Sequence, residues 1–206
     1  MKSRFCRIFL VLGLLGASAP LAPLHAQVQL KPGDIKLSKV AIEAQKTPDF
    51  QAGNVKGKNV PNPRDWLELE YEFEVAGDPK VVIKELLFRY YVAFKTATGT
   101  KLVSGDVKHV NVVPGEKTYT VAYVSPSTLG EVTGEYRNFQ PSGVAGAGVE
   151  VYYNGVIVGR ESTESGSKAT FWDVLSPQPG VLSKLDTPFA LLWIDRYAEF
   201  DRSGNR

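Results

Sequence analysis

Residues 66–75 constrain the fold more than any other stretch of the chain. They read WLELEYEFEV, so that apolar side chains alternate with acidic ones. Successive side chains of a β-strand point to opposite faces, and a period of two therefore predicts a strand over 66–76 with one buried face. The acidic members of the run form a ladder on the other face: Glu68, Glu70, Glu72 and Glu74. We expect this acidic ladder to line a solvated sheet face.

Four like charges in a row repel one another, so neighbouring strands should place basic or hydroxyl side chains opposite them. The sequence offers these candidates for that role: Lys36, Lys39, Lys84, Arg89, Thr118 and Thr120.

Other stretches carry strand patterns separated by turn residues. Alternating or apolar runs predict strands over 35–44, 81–95, 106–113, 117–124 and 169–174. The alternation of the first run slips near residues 38–39, which indicates a bulge. Thr98-Gly99 and Ser104-Gly105 are expected to bound a turn.

The dipeptide NG at 154–155 lies between two apolar runs and predicts a tight hairpin, because both residues tolerate a positive φ. The expected register places Tyr153 opposite Val156 and Val151 opposite Val158. These four side chains and Val149 should then share one face.

Two stretches are less regular. Residues 125–148 are expected to contain a short helical turn at Ser125-Pro126, and their GVAGAG motif at 143–148 indicates a flexible loop. Apolar residues and one arginine recur over 189–200 at the spacing of a helical stripe, which favours a helix. Its aromatic and branched content also permits a strand.

The sum is about eight strands with at most one substantial helix. This count favours an all-β, immunoglobulin-like β-sandwich with a short C-terminal helix where 189–200 is helical.

The first 26 residues have the layout of a secretory signal peptide, with a basic start, an apolar run over 8–15 and a small residue before Gln27. Cleavage there leaves a single domain over 27–206 and no membrane span. The net charge moves from +2 to −1, because the leader holds three basic residues and no acidic one. We therefore expect an exported protein, in the periplasm, at the cell surface or secreted, with no nucleic-acid partner.

The leader also takes with it the one cysteine, the one methionine and one of the two histidines. His109 remains, in a predicted strand, where we expect it to face solvent or a neighbouring side chain. No thiolate or histidine-rich metal site and no nucleophile-elbow motif is present. We predict no catalytic residue, no metal site and no cofactor, and hence no enzyme.

Partner contact is the remaining kind of site. The acidic ladder spreads its carboxylates along a strand, which suits a partner surface better than a calcium site or a catalytic pair. Four other side chains complete the candidate contacts: Lys56 and Lys58 in the loop over 47–65, and Tyr136 and Phe139 in the long connection. Exposed aromatic residues would also stack on sugar rings.

Three segments carry a resemblance to a known group of proteins: DWLELEYEFEV (65–75), FRYYVAFK (88–95) and TPFALLWIDRYAEF (187–200). The mature chain resembles secreted, single-domain immunoglobulin-like proteins encoded beside type IV pilus genes in mucin-dwelling gut bacteria. The resemblance implies a sandwich fold, export and an association with pili or the cell surface. It brings no catalytic residues, and the methylated N-terminal helix of a pilin subunit is absent.

The sequence thus favours a non-enzymatic, exported β-sandwich that acts through contacts with a protein partner of the envelope or pilus. The alternative is a carbohydrate-binding module that takes a glycan on exposed aromatic residues.

Overall fold

The computed structural model describes residues 29–50 and 60–203. Within them lie nine strands: β1 (Ile35–Lys46), β2 (Asp65–Val75), β3 (Ile83–Thr96), β4 (Gly99–Val112), β5 (Lys117–Val124), β6 (Val144–Tyr153), β7 (Val156–Ser162), β8 (Pro177–Pro179) and β9 (Val181–Ser183). One α-helix, α1 (Pro126–Thr133), and five short 3-10 turns complete the described elements.

The strands form two sheets that pack face to face. Sheet 1 has the order β1-β2-β5-β9 and sheet 2 the order β7-β6-β3-β4-β8. Neighbouring strands are antiparallel except β4 and β8, which are parallel. Labelled A to G in the immunoglobulin manner, sheet 1 contains A-B-E and sheet 2 contains G-F-C with a fourth strand beside C. The fold is an immunoglobulin-like β-sandwich.

The core lies between the sheets and follows the period of two. Alternate residues of β2, from Leu67 to Phe73, are at most 1% exposed, and alternate residues of β3 from Leu86 to Phe94 are fully buried. The aromatic rings of Phe73 and Phe88 meet across the two sheets at 4.9 Å. The predicted inward faces of both strands are therefore confirmed.

The strand register shifts at three places, Ser38/Val40, Ala93/Phe94 and Val151/Tyr152, and two of them bear on the predictions. The predicted slip in β1 is confirmed, because the register with β2 shifts between Ser38 and Val40. In the hairpin, Tyr153 pairs with Val156 as predicted. The second predicted pair is wrong: a shift after Val151 places that residue opposite Gly159, which is one residue beyond Val158.

The same hairpin does not bury all five side chains of the predicted apolar face. Val156 is 53% exposed, whereas Val151 and Val158 are fully buried. The predicted apolar face is therefore buried at Val149, Val151 and Val158 and exposed at the turn.

Two glycine-containing stretches that predict a loop or a turn lie inside strands. The GVAGAG motif is no loop, because Val144–Gly148 is the first half of β6. Ser104 and Gly105 lie inside β4 and bound no turn. A Cβ at Gly105 would come within 2.0 Å of the Val181 carbonyl oxygen, so the glycine lets β9 approach β4 closely.

Residues 189–200 form neither the predicted helix nor a regular strand. A 3-10 turn spans Ile194–Arg196, and the residue before it, Trp193, has a left-handed φ of 48°. Beyond the turn the backbone bonds to two strands: Ala198 N–H donates to Tyr119 O, and Val110 N–H donates to Glu199 O. Tertiary hydrogen bonding and packing override the local helical pattern here.

Most sheet edges are blunted. β8 contains two prolines, which lack the N–H that a further strand would need, and β9 is only three residues long. β7 and the start of β1 approach each other at the opposite side, where Gly33 N–H donates to Val158 O. Among the described strands, the second half of β1 pairs only with β2.

The predicted signal peptide over 1–26 lies outside the described residues. Within the described part of the chain, no helix has the length and apolar character needed to cross a membrane.

Candidate functional site

The acidic ladder lies on the outer face of sheet 1, as the alternation predicts, but this face is not solvated. Glu68, Glu70 and Glu72 are only 7–9% exposed. Residues 184–203, which we name the C-terminal cover, cross the sheet above them. The prediction of a wet face is wrong at these three positions, because sequence periodicity does not report a connection that folds back over a sheet.

Glu70 is held by the C-terminal cover itself. Arg196 donates to both carboxylate oxygens, with 2.8 Å between Nε and Oε2. The guanidinium also lies 4.1 Å from the ring centre of Tyr119. A planar fork that pairs with a carboxylate and stacks on an aromatic ring is a role for Arg and not for Lys.

Glu68 sits deeper in the same face. The Tyr123 hydroxyl donates to its Oε2 at 2.7 Å, and the Tyr123 ring stacks on Phe189 of the cover at 4.6 Å. Burial raises the pKa of Glu68, and the Tyr123 hydrogen bond opposes that rise only in part. The neighbouring carboxylates of Glu70 and Glu43 add to the rise.

Glu72 lies at the more polar end of the ladder. It accepts hydrogen bonds from Lys117 Nζ at 3.3 Å, from Tyr119 and from Ser38. The Lys117 hydrogen bond is the largest cause that lowers the pKa of Glu72.

The predicted partners of the ladder are confirmed only in part. Lys36 lies directly opposite Glu74, which is half-buried. Thr118 and Thr120 pair with Phe73 and Tyr71 and therefore lie on the core face.

Two further candidates, Lys84 and Arg89, are on β3 in the other sheet. At the far end of the ladder, the residue opposite Glu68 on β1 is the acidic Glu43.

A cleft of about 350 Å³ opens where the C-terminal cover meets β1 and β2. Its walls combine acidic, amide, aromatic and basic side chains: Glu43, Gln45, Glu68, Glu70, Trp193 and Arg196. We call it the acidic cleft.

Beside the cleft, three apolar side chains project from the cover: Leu191, Trp193 and Ile194, which are 73%, 50% and 51% exposed. We call them the apolar tip. The cover is fixed on both sides of the tip, because Phe189 and Tyr197 are 1% and 7% exposed.

The sequence analysis missed both the tip and the role of Glu43. The uncharged run FALLWI at 189–194 is a sequence signal for exposed apolar residues, but its spacing equally fits the apolar stripe of a helix.

His109 anchors the C-terminal cover from inside the sandwich. It is fully buried, and its Nδ1 lies 3.0 Å from Ala198 O. A carbonyl oxygen only accepts, so Nδ1 carries the proton. Nε2 therefore accepts from the Thr120 hydroxyl at 2.8 Å, and Thr120 accepts in turn from the Tyr90 hydroxyl at 2.8 Å.

Burial lowers the pKa of His109 to about 4, although the backbone carbonyls of the cover oppose this shift. The histidine is thus neutral at neutral pH and faces its neighbours, which is one of the two predicted orientations.

Lys184 is a second buried anchor of the cover. Its side chain is 1% exposed, and Nζ donates to Ala190 O at 3.2 Å. Nζ also lies 5.3 Å from the ring centre of Tyr197, which favours the cation. Burial lowers the pKa of Lys184.

The outer face of sheet 2 carries a similar arrangement that the sequence analysis missed. Glu150 on β6 is 5% exposed and accepts from the hydroxyls of Tyr91 and Tyr152 at 3.2 and 2.7 Å. Trp172 stacks on Tyr91 at 4.8 Å with an interplanar angle of 3°. Trp172 belongs to residues 163–175, which we name the middle cover.

The predicted strand over 169–174 is wrong. Phe171–Asp173 is a 3-10 turn of the middle cover. A Cβ at Gly148 would come within 2.1 Å of the Trp172 ring, and one at Gly146 within 3.2 Å of Phe171. The glycines of GVAGAG therefore make room for two aromatic rings.

Of the four remaining predicted contact residues, one is exposed, one is buried and two are not described. Tyr136 is 53% exposed, as a contact residue requires. Phe139 is 3% exposed and packs edge-on against Phe94 at 5.7 Å, so its prediction as a surface contact is wrong. Lys56 and Lys58 lie outside the described residues.

No group of three or more histidine, cysteine or acidic side chains is placed to hold a metal ion in residues 29–50 and 60–203. The expectation of no metal site and no cofactor stays a prediction.

The fold and the site define a class of protein: a two-sheet immunoglobulin-like sandwich whose own connections cover both outer faces. A family model matches residues 26–204, and the chain belongs to that family. A crystal structure of a protein from Akkermansia muciniphila, a mucin-dwelling gut bacterium, is similar with a TM-score of 0.69 and 31% identity. The match covers 82% of this chain and 93% of that chain. No curated protein matches this chain.

The relative comes from the kind of bacterium that the resemblance implies. The connection with pili stays a prediction.

Proposed function

We propose that this chain is an exported, non-enzymatic sandwich that acts by protein contact in the cell envelope, in the assembly of pili or other surface structures. The observation that carries the proposal is the apolar tip. Its three side chains are each at least half exposed within four residues of sequence.

Single exposed apolar residues are ordinary, whereas a group of exposed apolar residues within a few positions of a fixed segment is typical of an interaction site. The tip is such a group, because buried Phe189 and Tyr197 hold the cover on both sides of it. A partner that buries the tip would not have to order a flexible loop, which lowers the entropic cost of binding. Trp is also among the residues that contribute most to protein interfaces.

The non-enzymatic part of the proposal is supported by how the polar groups are used. His109 bonds to Thr120 and to the carbonyl of Ala198 inside the core, with a pKa lowered to about 4. Glu70 is paired with Arg196, and Glu72 is held by Lys117. These partners hold the protein together and leave little freedom for proton transfer to a substrate.

Cross-linking in the native cell tests the proposal. A photoreactive amino acid replaces Trp193, and in a matched variant it replaces Val174, which is 84% exposed on the middle cover. We expect the first variant to form a discrete cross-link to an envelope protein and the second to form none. Cross-links at neither position, or equally at both, would refute contact through the tip.

Export is tested separately. The mass of the protein recovered from the envelope or the medium should correspond to a chain that begins at Gln27. Recovery of the uncleaved chain from the cytoplasm would contradict export.

A carbohydrate-binding module is the second candidate, because Trp193 and the carboxylates of the acidic cleft together resemble a sugar subsite. Of the three tryptophans, Trp172 is buried and only Trp193 is half exposed. Binding to mucin glycans that is lost in Trp193→Ala and kept in Val174→Ser would favour this function over the first.

A further inference from the structure

Glu43 and Glu68 face each other across β1 and β2 in the acidic cleft. Directly opposite side chains of an antiparallel pair have Cβ atoms about 4.5–5.5 Å apart, and like charges there destabilise the sheet. Elsewhere along the ladder, Glu72 and Glu74 face Ser38 and Lys36 on β1. The pair of Glu43 and Glu68 is the place where an acidic residue of the ladder meets another acidic residue.

The cations nearby do not cancel this charge. Arg196 is committed to Glu70 through two hydrogen bonds. Lys184 lies beneath the cover and donates to Ala190 O; it interacts electrostatically with Glu68 but forms no ion pair with it. Glu43 is exposed, and among the side chains that the structure describes none forms an ion pair with it. The charge of Glu68 is thus offset in part and that of Glu43 by no ion pair, so the cleft offers two carboxylates of incompletely neutralised charge to an incoming group.

The apolar tip borders this pair. Trp193 belongs both to the tip and to the wall of the cleft. A cation between the two carboxylates would therefore also lie near an indole ring, which attracts cations. Leu191 and Ile194, which lie two residues before and one residue after Trp193, expose further apolar surface. Acidic, aromatic and aliphatic surface thus meet within one small region.

We propose that the acidic cleft binds an arginine or lysine side chain of a partner protein, with apolar residues beside it that pack on the tip. This inference rests on the proposed function and names the chemistry of its partner. The volume of about 350 Å³ suits one long side chain. Charge complementarity favours a basic segment over an acidic one, because Glu43 and Glu68 would both repel an anionic side chain.

Short peptides test the inference directly. The probe is acetyl-Leu-Arg-Leu-amide, and its analogues carry Gln or Glu in place of Arg. Binding is followed by isothermal titration calorimetry, so that the same readout serves variants that lack the Trp193 indole. We expect the Arg peptide to bind at least about tenfold more tightly than the Gln peptide, which is about 1.4 kcal/mol, and we expect the Glu peptide to bind most weakly. The difference should shrink at high salt, because the cleft is open to solvent.

Matched variants assign the effect to the carboxylates. Glu43→Gln should reduce the affinity for the Arg peptide to that for the Gln peptide and leave the Gln peptide unchanged. Glu85→Gln is the control, because Glu85 is an exposed carboxylate on sheet 2 that pairs with Lys108. It should change neither affinity. Trp193→Ala should weaken the binding of every peptide.

The possible failures are distinct. If the three peptides bind equally and Trp193→Ala abolishes their binding, the basic partner is refuted and the tip remains a protein contact. If the Arg peptide does not bind at millimolar concentration, the inference is refuted. If in addition residue 193 forms no cross-link in the cell, the proposed function is refuted as well. Glycan binding at Trp193 without peptide binding would refute both in favour of a carbohydrate module.

Discussion

The two outer faces of the sandwich are built on the same plan and differ in how their covers are attached. On sheet 1 the Tyr123 hydroxyl donates to Glu68, and Phe189 stacks on Tyr123. On sheet 2 the Tyr91 hydroxyl donates to Glu150, and Trp172 stacks on Tyr91. Each face buries a strand glutamate beneath a tyrosine and an aromatic ring from a connection.

The attachments differ in their chemistry. The C-terminal cover is held by polar groups, through Arg196 on Glu70 and through His109 on the backbone at Ala198. The middle cover relies on close packing, because Gly146 and Gly148 admit the rings of Phe171 and Trp172. The C-terminal cover leaves the acidic cleft and the apolar tip open, whereas the pocket beside the middle cover is smaller, at about 250 Å³, and we therefore propose that the contact surface lies on sheet 1.

The largest expected effect comes from removing either stacked ring. Trp172→Ala and Phe189→Ala should each lower the free energy of unfolding by about 3 kcal/mol, because each leaves a cavity above a buried glutamate. Urea unfolding measures this loss. Trp193→Ala is the control and should change stability by less than about 0.5 kcal/mol, because its side chain is half exposed. A loss below about 1 kcal/mol for one ring alone would show that the two faces are not equivalent.

The pH dependence of stability should separate the two covers next. Burial lowers the pKa of His109 from 6.5 to about 4 in the folded state. Between these values the unfolded chain binds a proton that the folded chain does not bind. The neutral His109 therefore contributes to the free energy of unfolding in full above pH 6.5. This contribution falls as the pH decreases towards 4 and is about 3 kcal/mol in total.

Hydrogen exchange and denaturant unfolding at several pH values check this prediction. The amides of Ala198 and Asp201, which donate to Tyr119 O and Lys108 O, should lose protection at higher pH than the amides of the middle cover. His109→Gln should flatten the dependence of stability on pH between 6.5 and 4. An unchanged slope in that variant would assign the dependence to other groups.

The sandwich itself was predictable, whereas the covers were not. Alternation in β2 and β3 fixed which side chains point inward, because a strand has only two faces and one of them must be buried. The alternation cannot state whether the other face meets water. The burial of Glu68 depends on Phe189, more than a hundred residues later in the sequence.

Glycine and aromatic signals failed for a related reason. Gly146 and Gly148 lower the strand propensity of β6, yet the rings above them require the missing side chains. The aromatic spacing over 189–200 matched a helix, although Phe189 is buried and Trp193 is exposed. A local sequence pattern cannot predict these contacts, because they join residues that are far apart in the sequence.

Two arginine–carboxylate pairs of similar geometry test how much the ion pair of the C-terminal cover contributes to the stability of the protein. Arg196 pairs with Glu70, whose side chain is 11% exposed, and Arg89 pairs with Asp106, whose side chain is 41% exposed. Arg196→Ala should lower the free energy of unfolding by about 1–2 kcal/mol, because it leaves a largely buried carboxylate unpaired. Arg89→Ala should cost less than about 1 kcal/mol, as exposed pairs do.

The measurement is again denaturant unfolding, with Arg196→Lys as a further variant. Lysine keeps the charge but loses the fork and the stacking on Tyr119, so we expect it to recover less than half of the loss. Equal losses for Arg196→Ala and Arg89→Ala would mean that the C-terminal cover does not depend on its ion pair.

Replacing the buried glutamate of each face with glutamine should change the free energy of unfolding least, and with opposite signs on the two faces. Burial raises the pKa of Glu68, so its charged form is disfavoured in the folded state. Glu68→Gln keeps an oxygen that accepts from Tyr123 and should stabilise the protein by less than about 1 kcal/mol at neutral pH.

As the pH falls through the raised pKa, Glu68 itself becomes neutral, and the advantage of the variant should vanish. Glu150 instead lies 3.5 Å from Arg160, so Glu150→Gln removes an ion pair and should destabilise slightly. Paired unfolding curves of both variants at neutral and acidic pH check these signs. If Glu68→Gln destabilised the protein at neutral pH, the charge of Glu68 would already be compensated in the free protein. The acidic cleft would then have less reason to bind a basic partner.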